Sequence, residues 1–86
     1  MQNPKLVNEI DVSKIVRQEV AQICATSVEE VKDEGSLVEY GFDSLKSMEL
    51  IVALEAHFDI RIDDAEIDGM QTVRDVIRAI EGKIQG

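Results

Sequence analysis

Few residues in this chain have side chains suited to chemistry, and the most suggestive is a serine. Ser44 stands in Gly41-Phe42-Asp43-Ser44-Leu45, between a glycine-punctuated stretch and a run free of Gly and Pro that extends to Phe58. A hydroxyl there falls in the first turn of an expected helix. Backbone N–H groups at that end lack intrahelical partners, and the helix dipole favours a negative group, a phosphate ester included. Asp43 or Ser44 would serve equally well as a plain helix cap, and the string Asp-Ser-Leu alone does not choose between these roles.

Other chemistries find weaker support. Asp64, Glu66 and Asp68, followed by Gly69 and later by Asp75, imitate a calcium-binding loop. The imitation is imperfect: the third position is Glu, the eighth is the polar Gln71, and the last is the shorter Asp75. No second loop accompanies it, and Thr72 reads as a helix start inside the supposed loop. His57 is the one histidine and has no dyad partner that the sequence identifies, so it reads as a surface group or a complement to a helix end. Cys24 closes an apolar helix face and reads as core filling. With no phosphate-binding glycine loop, dinucleotide motif, zinc spacing or nucleophile–base arrangement, no catalytic residue and no metal site is expected.

The elements that must position Ser44 follow from periodicity. Val12, Ile15, Val16, Val20 and Ile23 recur at helical spacing, with Asp11 placed to cap that helix. Residues 25–42 lose the period and read as a long loop, pinned by Val28, Val31, Leu37 and Val38 and close to function. A second helix is expected from Ser44 to Phe58, with Leu50, Ile51, Leu54 and Phe58 as its core face. Leu45, Met48 and Val52 form a second apolar stripe, bordered by Glu49 and, with Ser44, by Glu55. Either the next helix covers that stripe or a partner docks on it. Ile60 and Ile62 hint at a short extended piece, and 63–67 at one or two helical turns. Thr72 and Asp75 resemble a capping box for a last helix through Val73, Val76, Ile77 and Ile80, with Gly82 as its stop. The expected fold is all-α: three main helices, one short helix and a long first loop in a single domain over 1–86, with flexible ends at 1–9 and 82–86.

Composition sets bounds on function. Eighty-six residues leave little room for a deep catalytic cleft. With no Trp, one Tyr and two Phe, the core must be aliphatic. The net charge of −9 is localised: residues 29–68 hold thirteen acids against Lys32, Lys46 and Arg61, whereas the rest of the chain holds five acids and six bases. Such a chain does not suit nucleic acid, which attracts basic patches, and suits basic protein surfaces. The longest apolar run, Leu50–Leu54, is too short to span a membrane. A lone cysteine and a start without a signal-peptide pattern point to a reducing, cytoplasmic setting.

The stretch from Leu37 through Phe58, continued by Asp59-Ile60-Arg61-Ile62-Asp63-Asp64 and Thr72-Val73, strongly resembles the acyl carrier protein family, over roughly residues 10–81. The resemblance implies a four-helix fold, no enzymatic activity and a 4′-phosphopantetheine arm esterified to Ser44. A phosphopantetheinyl transferase would install the arm from coenzyme A. Loading ligases and downstream enzymes would act on acyl or aminoacyl thioesters at its thiol. Asp43 matches the family acid that assists transfer, and Leu45, Met48, Glu49, Val52 and Glu55 match the recognition helix. Glu49 and Glu55 are then expected to meet Arg or Lys on partners, and the carrier to act as a monomer. Lys46, Ala56 and His57 stand where carriers of fatty-acid synthesis often have acids, and Asp63-Asp64 where Ile-Pro-Asp is common. These departures favour a dedicated pathway (polyketide, nonribosomal peptide or another specialised assembly). An aminoacyl or peptidyl carrier, D-alanyl included, is the alternative within the class. A small acidic calcium-binding or adaptor domain is the alternative outside it.

Overall fold

A computed structural model describes residues 4–85 of the chain, with side chains described over 12–84. Among these residues the chain forms α1 (Pro4–Cys24), a single 3₁₀ turn (Val28–Glu30), α2 (Ser44–Phe58), α3 (Asp64–Asp68) and α4 (Val73–Gln85). The all-α expectation of three long helices and one short one holds. The only β-type pairing among them is an isolated bridge between Ser36 and Thr72, and Ile60–Ile62 forms no strand.

Two helix ends differ from expectation. α1 starts at Pro4 rather than at Asp11, which lies inside the helix. Proline is favoured at the first helical position, where its missing N–H costs nothing. α4 continues past Gly82 to Gln85, because one glycine lowers helix propensity without forcing a stop. The expectation of flexible ends falls in part on residues 1–3 and 86, outside the described ones.

The core is aliphatic. Val12, Val16 and Val20 of α1 meet Leu50, Ile51 and Leu54 of α2 and Val73, Val76, Ile77 and Ile80 of α4. Each set repeats at three- or four-residue spacing, so every long helix turns one stripe inward. Phe58, expected in the core face of α2, packs against its edge and is half-buried.

The long loop is fastened at several points. Val31, Leu37 and Phe42 are buried, whereas Val28 and Val38, expected to help pin it, are exposed. Tyr40 takes their place: its hydroxyl accepts from the Lys32 N–H at 2.9 Å and donates to the Glu30 carbonyl at 3.2 Å. A Cβ on Gly35 would run into that ring, so the close approach needs glycine. Arg17 of α1 reaches the Val31 carbonyl at 3.3 Å and the Asp33 carboxylate, while the Arg74 N–H donates to the Asp33 carbonyl at 2.9 Å. The loop is thereby tied to α1 and α4 and delivers its far end to the head of α2.

Candidate functional site

Entry into α2 is set by three residues. Gly41 adopts φ +95°, a conformation that L side chains rarely take. Phe42 is buried and anchors the chain. Asp43, in extended backbone, is the helix cap: its Oδ1 accepts from the Lys46 N–H at 2.9 Å, and its carbonyl accepts from the Ser47 N–H at 2.9 Å. That Lys46 amide is the chief reason the Asp43 carboxyl is held below its ordinary range. Capping therefore falls to Asp43, and Ser44 is left exposed on the first turn of α2.

Ser44 stands at the lip of an open recess of about 620 Å³. Val38, Phe42, Ser47 and Met48 form the near side, and Asp64, Ile67 and Asp68 of α3 form the far wall. Ser47 lies one turn beyond Ser44 on the same helix face, a spacing that was visible in the sequence. Val38 and the α3 residues came from the tertiary fold and carried no local signal.

A second, shallower depression of about 380 Å³ opens on the outer side of α2 and is lined by Leu45, Met48, Glu49, Val52 and Ala53. Leu45, Met48 and Val52 are 70%, 54% and 59% exposed, so α3 leaves the stripe uncovered. Met48 lines both hollows. Glu49 is exposed on this face, whereas Glu55 is half-buried and spends its Oε2 on the Ile62 N–H at 2.9 Å. Of the residues expected on the recognition face, the structure groups four together and turns Glu55 to another task.

The remaining candidates have structural roles. His57 Nε2 lies 2.9 Å from Glu19 Oε2 and links the end of α2 to α1. Cys24 is half-buried, and burial pushes its thiol up, away from nucleophilic use. The calcium-like acids do not surround a loop: Asp64, Glu66 and Asp68 belong to α3. Glu66 accepts from the Asp63 N–H at 2.9 Å and pairs with Lys83 at 3.0 Å. Asp75 accepts from the Gln71 and Thr72 amides at 3.0 and 3.1 Å. Among the described residues no three His, Cys, Asp or Glu side chains come together as a metal would need, and no helix is long and apolar enough to cross a membrane.

An exposed hydroxyl, a helix start that favours a phosphate and a recess beside it suit a phosphopantetheine ester, which when bound supplies a thiol for thioesters. The comparisons with known proteins agree. The family model described as "Phosphopantetheine attachment site" matches residues 14–80. The acyl carrier protein of Wolinella succinogenes is 43% identical over 67 residues, covering 77% of this chain and 88% of the relative. That of Thermosynechococcus vestitus is 37% identical over 79 residues, covering 91% and 98%. Among solved structures, the HMG-ACPI domain from the CurA module of Lyngbya majuscula superposes with a TM-score of 0.76 at 17% identity, over 88% of this chain and 77% of that one, which shows the shared fold. A phosphopantetheine attachment domain with acyl carrier proteins as relatives along nearly its whole length, the chain belongs to the acyl carrier protein family, whose members carry and do not catalyse.

Proposed function

We propose that Ser44 bears the arm, that Leu45, Met48, Glu49 and Val52 present the carrier to its partners, and that the cargo belongs to a dedicated biosynthetic pathway. The observation that carries the first part is the position of Ser44, exposed on the first turn of α2 at the lip of the recess, with Asp43 doing the capping. A hydroxyl so placed can be esterified without disturbing the core. Asp43, held ionised beside it, supplies a carboxylate that the transferase and its metal can recognise. The dedicated pathway (polyketide, nonribosomal peptide or fatty-acid-like) is supported by the thinned acidity of α2. Lys46 and Ala56 stand at positions where carriers of fatty-acid synthesis often have acids, and His57 is occupied with Glu19.

Intact mass after incubation with coenzyme A, magnesium and a broad-specificity phosphopantetheinyl transferase tests the attachment. The wild type is expected to gain one phosphopantetheine and Ser44→Ala none. Modification of the alanine variant, or none of a folded wild type, would sink the assignment.

A second reading, an aminoacyl or peptidyl carrier, is favoured by Asp43, Asp64 and Asp68 around the recess, where a cationic amine on the cargo would be welcome. Presenting the arm-bearing protein to acyl-activating and aminoacyl-activating ligases separates the two, since only one class is expected to load it.

A further inference from the structure

Glu55 lies on α2 among residues that face partners, yet its side chain turns inward. Its Oε2 accepts the Ile62 N–H at 2.9 Å. This contact is possible because α2 stops at Asp59 in a left-handed conformation, φ 54°, which folds the chain back on the helix end. Ile62 then buries its side chain, and its amide meets the carboxylate of a residue seven positions earlier. A single residue, Asp63, separates the held amide from α3. Asp64, Ile67 and Asp68 of α3 are the far wall of the recess at Ser44. On its other side α3 is tied to α4 by the Glu66–Lys83 pair at 3.0 Å.

We infer that Glu55 is a positioning residue: by gripping the Ile62 amide it fixes where α3 stands relative to Ser44, and so how wide the recess opens to the arm and its cargo. The inference rests on Ser44 bearing the arm. It assigns Glu55 a role that depends on reach and on an acceptor oxygen, whereas a docking acid depends on charge. Released from Glu55, α3 keeps its tie to α4 and swings on it, so the loss is local.

Substitutions separate reach from charge. Glu55→Gln keeps the acceptor and the length without the charge. Glu55→Asp keeps the charge but falls one methylene short, and Glu55→Ala lacks both. On the unmodified full chain, amide hydrogen exchange at Ile62 and along α3 is expected to match the wild type in the Gln variant. The Asp and Ala variants are expected to exchange about tenfold faster there, the loss of one hydrogen bond. Global unfolding in urea should shift down modestly and together in the Asp and Ala variants and stay at the wild-type midpoint in the Gln variant. In a second readout, Ser44 is loaded from coenzyme A bearing a solvatochromic dye. Wild type and Glu55→Gln should emit at the same wavelength, and Glu55→Asp further to the red, closer to the dye in water.

The opposite order, with Asp like the wild type and Gln defective, would overturn the inference in favour of a charge role. So would identical exchange in all variants, or identical emission from all of them. If Glu55→Ala fails to fold, the Gln and Asp pair decides. Failure of the wild type to take up dye would count against Ser44 as the attachment point, while exchange on the unmodified chain still decides whether Glu55 holds α3.

Discussion

Asp43 caps α2 and its neighbour Ser44 is the proposed attachment point, and substitution can separate the two duties. The Asp43 carboxylate caps the Lys46 amide, a role that an amide oxygen fills almost as well, whereas the proposed recognition by a metal-dependent transferase would need the charge. Asp43→Asn is therefore expected to melt close to the wild type and Asp43→Ala several degrees lower, while both accept the arm far more slowly. Calorimetry beside a timed mass assay checks this; full transfer to Asp43→Asn would leave the acid as a cap and nothing more. The sequence placed both residues at a helix start without dividing the labour. What divides it is the extended backbone of Asp43, which aims its side chain at Lys46 and leaves the Ser44 hydroxyl to solvent.

Helix ends carry the next level of design. At the head of α4, Asp75 accepts from the Gln71 and Thr72 amides while the Thr72 hydroxyl accepts from the Asp75 N–H at 3.2 Å. The Gln71 and Thr72 amides hold the Asp75 carboxyl below its ordinary range. A carboxylate with a depressed native pKa contributes fully above its unfolded value, about 3.9, and loses that contribution as pH falls through the lower native value. Glu34, Asp43 and Glu66 are depressed as well, so the acid limb is shared. Asp75→Asn should lower the melting temperature near neutral pH and make its fall below about pH 4 shallower; an unchanged acid limb would rule out this coupling. This box was legible in the sequence because both partners lie within one turn. The apolar stripes of α1, α2 and α4 were legible for the same reason. The Glu55–Ile62 bond was not: it depends on the left-handed turn at Asp59, which no local pattern announced. The exposure of Val38 likewise depended on Tyr40 and Leu37 holding the loop, which hydrophobicity alone could not rank.

At the scale of the whole molecule, a small aliphatic core is helped by polar ties across its longest loop. Arg17 joins Ser13, the Val31 carbonyl and the Asp33 carboxylate, and is about one-third exposed. Arg74 pairs with Glu34 at 3.2 Å in a more open setting. Replacing Arg17 by Met is expected to cost about 1–2 kcal/mol, since hydrogen bonds to a partly shielded cation are lost. Replacing Arg74 by Met should cost less than about 1 kcal/mol, as exposed pairs do. Urea denaturation measures both, and equal losses would argue against Arg17 as the main tie. The acidity of the middle of the chain, evident from composition, is thus partly used internally by these arginines and by Lys83.

Tyr40 has a use beyond its two hydrogen bonds. It is the one tyrosine in a chain without tryptophan, and its ring is locked between Gly35 and the backbone of residues 30–32. The aromatic circular dichroism of this protein therefore arises largely from one known place, the clasp of the long loop. Amide dichroism reports the helices. Comparing the two signals during unfolding lets an unlabelled sample reveal whether the loop lets go with the bundle or ahead of it.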